Sequence, residues 1–268
     1  MYKMAALDID GTIAVGGVIS HKTRKVIKQL EADGVHVCLC TGRNVANTSF
    51  IVDDLGLSTP YVCCDGMLMA EPKTDKLLYA NLLEKDVFLK CLDIVRAEDF
   101  YIEIVTDGKY YKHALTEAAK AYDYALKGLA PGSVEHIDCL KRIYTTNEAL
   151  CQIIIGGKPE LHAAVRDSLL DVHDSVEIKD TLWPGYGFIN SKDINKFRGV
   201  QRLCEYYGIS TDEVVAIGDE LNDLEMLEGC GMGVAMGNAQ DRVRQSADFV
   251  TESVENDGAA LALLKFFG

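Results

Sequence analysis

The sequence predicts an α/β fold, a parallel-sheet core with an α+β module inserted into it. Three observations carry this expectation. Up to residue 64, short unbroken apolar runs alternate with amphipathic helical patterns. The same rhythm returns after about residue 190, whereas the stretch between mixes helices and strand-like pieces differently. Unbroken apolar strands joined by helices belong to a sheet covered on both faces.

The elements follow in chain order. MAALDI reads as the first strand. SHKTRKVIKQLEADG reads as a helix, with Ser20 as N-cap, Val26, Ile27 and Leu30 on one face, and Gly34 after its end. VHVCLCT is a second strand, RNVANTSFIVDDLG a second helix and PYVCCDG a third strand. In the middle, VFLKCLDIVRA, HALTEAAKAYDYAL and ELHAAVRDSLL read as helices, and YIEIVTDGKYYK, CQIIIGG, VEIKDT and YGFIN as strands. The rhythm then resumes. NKFRGVQRLCEYYG is an amphipathic helix, with Phe197, Val200, Leu203, Cys204 and Tyr207 near helical spacing, VVAIGD a strand, NDLEMLEGC a short helix and GMGVAM another strand. Asn238 is expected to cap the helix AQDRVRQSA, and DFVT and DGAALALLKFF close the chain. These boundaries give 1–84 as the first part of the core, 85–190 as the insertion and 191–268 as the second part.

Composition narrows the classes of function. The net charge of −14 argues against a nucleic-acid binder, which needs a basic face for phosphates. No stretch reaches the roughly 18 apolar residues of a membrane span, and the N-terminus turns acidic too soon for a signal peptide. The nine cysteines lack CxxC metal spacing and sit largely in apolar runs. Cys38 and Cys40 share one strand face, where a thiol packs as a small apolar group. The expectation is a cytoplasmic protein with reduced, buried cysteines. The six histidines show no metal spacing.

The chemistry gathers on LDIDGT, where the first strand ends in two carboxylates, Asp8 and Asp10, that repel unless something positive lies near them. In open α/β sheets that edge binds ligands. Thr41-Gly42-Arg43 after the second strand, Lys196 at a helix start, and GDELND (Gly218 to Asp223) after VVAI reach the same edge if their strands run parallel. Asp8, Asp10 and Asp219 offer hard oxygens suited to Mg²⁺, whose charge keeps neighbouring carboxylates ionised. Lys196 and the Thr41 hydroxyl supply donors to an anionic group. A carboxylate beside a bound phosphate can attack phosphorus, and a second can protonate the leaving oxygen and then deprotonate water. Arg43 reads as a surface residue at a helix start in preference to a second anion contact. Trp183 reads as core in preference to a substrate lid.

This constellation resembles the haloacid dehalogenase superfamily of phosphohydrolases. The matching motifs are DIDGT, Thr41 of CTGR, Lys196 of NKFRGV, and GDELND. VAMGNA and the late NDG look like the Cof-like sugar-phosphatase subgroup, which carries a large cap between its second and third motifs. The resemblance implies a Rossmann-like core with residues 85–190 as a cap selecting the substrate. It implies Asp8 as nucleophile and Asp10 as general acid/base. Mg²⁺ would be held by the Asp8 carboxylate, the Asp10 backbone carbonyl and Asp219, with Asp223 supporting. Phosphate would contact the Ile9 backbone, Thr41, Gly42, Lys196 and Asn222. The chain departs from the subgroup at Asp65-Gly66, where Asn-Gly is usual.

The expected activity is a Mg²⁺-dependent phosphatase acting on small phosphorylated metabolites, sugar phosphates first. Two alternatives stay open. A phosphomutase would return the phosphoryl group to its substrate. A phospho-accepting receiver combines Asp, Mg²⁺, Thr and Lys on a parallel sheet, although it has no need of Asp10 or of a large insertion.

Overall fold

The computed structural model describes residues 2–114, 116–121, 128–170, 174, 176–180 and 185–268. The chain forms two compact units. The first comprises Met1–Ala80, Lys127–Leu129 and Asn195–Gly268; the second comprises Asn81–Leu126 and Ala130–Ile194.

The first unit is built on a five-stranded sheet in the order Phe249–Val250, Met232–Ala235, Val214–Gly218, Met4–Leu7, His36–Leu39. Every neighbouring pair is parallel. Met4–Leu7 and Val214–Gly218 are buried along their whole length, so both faces need apolar side chains and no polar alternation survives. The next strand of this sheet in sequence, His36–Leu39, lies on one side of Met4–Leu7 and the later strands on the other. That reversal makes the carboxyl end of Met4–Leu7 the switch point where such sheets bind ligands.

The helices follow their sequence signals. In His21–Ala32 the Ser20 hydroxyl accepts from the Thr23 N–H at 3.1 Å, and Thr23, Val26, Ile27 and Leu30 form the buried stripe. Ala46–Leu55 ends at Gly56 and Lys196–Tyr207 at Gly208, both left-handed. Asn195 caps the latter by accepting from Arg198 N–H at 2.9 Å, which fixes Lys196 as its first residue. A hairpin pairing Ala14–Val15 with Val18–Ile19 lay outside the sequence reading. Tyr61–Cys63, expected as a third strand of the parallel sheet, instead pairs antiparallel with Leu68–Ala70 in a three-stranded sheet completed by Leu77–Ala80, and meets the parallel sheet through the isolated Cys40↔Val62 bridge.

The second unit has a six-stranded sheet in the order Val134–His136, Tyr110–Ala114, Tyr101–Thr106, Leu150–Gly156, Tyr186–Ser191, Val176–Asp180. It is antiparallel except for its first pair. Helices Lys85–Val95 and Pro159–Leu170 supply Phe88, Cys91, Leu92, Val95, Val165 and Leu169 to a core shared with Ile102, Ile104, Ile153, Ile155 and Ile189.

Two sequence expectations are corrected. HALTEAAKAYDYAL is not one helix from its start: His113 and Ala114 finish a strand, and the helix Glu117–Lys120 begins only after Thr116 caps Ala119 N–H at 3.1 Å. Residues 115 and 122–126 of that segment, like Trp183, lie outside the described residues. Asn238 does not cap Asp241–Ser246, whose cap position is Gln240 with no side-chain bond. Its amide is engaged elsewhere, at Asp219.

Candidate active site

Asp8 follows the first strand directly, its N–H bonded to the Ile217 carbonyl at 3.0 Å. The parallel register Leu7↔Ile217 brings GDELND, after the next strand, to the same edge. Lys196 Nζ donates to Asp8 Oδ1 at 2.6 Å and to Asp223 Oδ1 at 2.7 Å. The lysine is 1% exposed, so it is no surface residue. Asp223 Oδ2 accepts from the N–H groups of Asp219 and Glu220 at 2.9 and 3.0 Å. Both Asp223 oxygens are thus committed to protein donors, which suits it to orienting neighbours.

Asp219 is held from two sides. Thr12 Oγ1 donates to its Oδ1 at 2.8 Å and Asn238 Nδ2 to its Oδ2 at 3.2 Å. The approach requires a glycine in the DGT turn: Gly11 has φ +84°, and a Cβ there would lie 2.2 Å from Asp219 Oδ2.

These groups are short of positive charge. Burial raises the Asp8 carboxyl well above its usual range, against the pull of Lys196 and helped by Asp223 and Asp219. Burial likewise pushes Asp219 up to about 7, with Asp223 and Glu220 adding to it. Burial works against the Lys196 ammonium, yet Asp223, Asp8 and Asp65 hold its pKa well above the usual value. One ammonium therefore faces three buried carboxylates. One oxygen each from Asp8, Asp219 and Asp223 lies within 4.8 Å of the others. An all-oxygen donor set lacking positive charge fits a hard divalent cation.

Asp10 stands apart from this network. Arg43 grips its carboxylate with a fork, Nε to Oδ2 at 2.7 Å and Nη2 to Oδ1 at 2.6 Å. The arginine side chain is 6% exposed and the aspartate 53%, which corrects the reading of Arg43 as a surface residue. Its position directly after a strand-end Thr-Gly was the available signal. Thr12 and Asn238 were also missed as supports of Asp219; DGT and VAMGNA contained them without indicating their partner.

The remaining site residues line the same strand ends. Thr41 is buried, and its Oγ1 accepts from Arg43 N–H at 3.2 Å, which leaves its own proton to donate. Among the described residues, the N–H groups of Ile9 and Gly42 have no hydrogen-bond partner. Asn222 is exposed and its Nδ2 donates to Asp65 Oδ1 at 2.8 Å. Asp65, left-handed at φ 54°, thereby enters the site's hydrogen bonding.

Comparison with known proteins accords with this geometry. The haloacid dehalogenase-like hydrolase family matches residues 5–263. The 5-amino-6-(5-phospho-D-ribitylamino)uracil phosphatase YitU of Bacillus subtilis (strain 168) is 32% identical over 271 residues, spanning 98% of this chain and 97% of that protein. A haloacid dehalogenase-like hydrolase from Bacteroides thetaiotaomicron superposes with TM-score 0.84 at 24% identity, covering 100% of both chains. A HAD subclass IIB sugar phosphatase superposes with TM-score 0.78 at 21% identity over 98% of both. The chain belongs to the haloacid dehalogenase-like hydrolases, as a phosphatase of their Cof-like group.

Proposed function

We propose that the protein is a Mg²⁺-dependent phosphatase that hydrolyses small phosphorylated metabolites through an aspartyl-phosphate on Asp8. The observation that carries this reading is the buried Asp8 carboxylate, 2.6 Å from Lys196 Nζ and grouped with Asp219 and Asp223. Asp8, the Asp10 backbone carbonyl and Asp219 would hold the ion, with Asp223 orienting them. When bound, Mg²⁺ supplies positive charge that stabilises the phosphoryl oxygens in the transition state.

The chain's own groups account for the rest. The Ile9 and Gly42 N–H groups, the Thr41 hydroxyl, Lys196 and Asn222 bind and orient the phosphate. An Asp8 carboxylate oxygen attacks phosphorus and the ester P–O bond breaks. The Asp10 carboxyl gives its proton to the departing oxygen. Water then attacks the aspartyl-phosphate phosphorus and loses a proton to the Asp10 carboxylate. The Asp8 oxygen–phosphorus bond breaks, regenerating the free carboxylate and releasing phosphate.

Residues 85–190 act in this reading as the cap that selects the substrate, since every group above lies outside them. Sugar phosphates are the first substrate class, supported by the fold shared with the subclass IIB sugar phosphatase. The ribitylamino-uracil phosphate named for the Bacillus subtilis relative also carries a phosphorylated polyol and belongs in the same screen. We place the protein in the cytoplasm, acting on a small molecule without nucleic acid or membrane. All nine cysteines are free thiols, and no helix among the described residues is long and apolar enough to cross a membrane. The test is phosphate release from a panel of phosphorylated metabolites with and without Mg²⁺. Release from none of them with the ion present would overturn the reading.

A further inference from the structure

The pairing of an exposed catalytic carboxylate with a buried arginine has a consequence for proton transfer, resting on the phosphatase reading above. An aspartate with a side chain 53% exposed is ordinarily free to change rotamer. Here both oxygens of Asp10 are held by a guanidinium that is itself fixed. Arg43 Nη1 donates to the Gly128 carbonyl at 2.6 Å and to the Asn47 carbonyl at 3.5 Å. Its backbone is pinned as well: its N–H donates to Thr41 Oγ1, and its carbonyl accepts from Cys64 N–H at 2.9 Å. The Asp10 loop is closed from the other side, with Ile9 O accepting from the N–H groups of Thr12, Ile13 and Ala14.

We propose that Arg43 is a positioning residue, whose fork fixes the direction in which the Asp10 carboxyl exchanges a proton with the substrate's leaving oxygen. A bidentate fork occupies one lone pair on each carboxylate oxygen and leaves the other for that exchange. Lysine keeps the charge but cannot reproduce the two-point grip. The effect of Arg43 therefore depends on how much the leaving group needs a proton. An alkoxide leaving from a sugar phosphate needs it; a nitrophenolate leaves without it.

The experiment measures kcat/KM of wild-type, Arg43→Lys and Arg43→Gln enzymes on a sugar phosphate and on p-nitrophenyl phosphate. It then repeats both substitutions in an Asp10→Asn background. General acid catalysis contributes about 10²–10⁴ in rate, so the sugar-to-aryl ratio should fall by about tenfold or more in either single variant. In the Asp10→Asn background the same substitutions should leave that ratio where Asp10→Asn alone puts it, because the two residues act as one unit. An equal loss on both esters, or a ratio that falls again in the Asp10→Asn background, would overturn the proposal. Circular dichroism and Mg²⁺ binding check folding. If Arg43→Lys unfolds, Arg43→Gln carries the same comparison, and unfolding of both would assign Arg43 to the fold and overturn the proposal. Wild-type enzyme inactive on both esters would instead sink the phosphatase reading itself.

Discussion

Lys196 Nζ lies 2.6 Å from Asp8 Oδ1 and 2.7 Å from Asp223 Oδ1, joining the ends of two parallel strands through the first residue of a helix. A buried ammonium between two buried carboxylates is costly to break from one side, since the partners left behind have no water to turn to. Lys196→Met should therefore destabilise the protein by about 3–5 kcal/mol. It should also lower kcat by about 10²–10³, the usual loss for one preorganised donor. Chemical denaturation and steady-state kinetics test the pair of effects. Unchanged stability and turnover would mean that the ion pairs contribute nothing.

Gly11 is a second sensitive point. Any side chain at φ +84° is strained, and a Cβ 2.2 Å from Asp219 Oδ2 must displace that carboxylate. Gly11→Ala is expected to weaken Mg²⁺ binding by about 10–100-fold, as losses of support around a metal ligand do. Isothermal titration with Mg²⁺ measures it; wild-type affinity would show that Asp219 is not a ligand.

Mg²⁺ binding should also depend on pH. In the metal-free protein burial pushes Asp219 up to about 7, so below that pH a proton competes with the ion. Affinity should fall as pH drops through about 7, with proton release on binding. The raised carboxyl pKa also makes metal-free stability fall as pH rises through the same range, because the folded state then binds the proton more tightly than the unfolded chain. The Tm gained on adding Mg²⁺ should accordingly be larger at about pH 8 than at about pH 6. An equal gain at both would contradict this coupling.

The parallel core was legible because strands buried on both faces, such as Met4–Leu7, read as unbroken apolar runs, and these alternate with helical patterns along the chain. Lys196, Asp219 and Asp8 could be grouped in advance because strand ends in a parallel sheet share one edge. Arg43 was misread because burial of an arginine depends on partners distant in sequence: Asp10 is 33 residues away and Gly128 is 85. Asn238 was read as a cap because Asn before a polar helical run is the usual local signal. Its actual partner, Asp219, becomes its neighbour only when parallel strands set Ala235 beside Gly218. The helix expected over HALTEAAKAYDYAL failed at its start because Tyr110–Ala114 is held by pairing with Tyr101–Thr106, which outweighs local helix preference.

The covalent step at Asp8 is tested most directly by trapping its intermediate. Enzyme mixed with a labelled phosphate ester and Mg²⁺ should be quenched within the first turnover, digested, and the phosphoryl label located by mass spectrometry. The expected result is a transient label on the peptide carrying Asp8, disappearing as free phosphate forms, and absent with folded, inactive Asp8→Asn. Label on any other residue, or substantial turnover by contaminant-free Asp8→Asn, would contradict it.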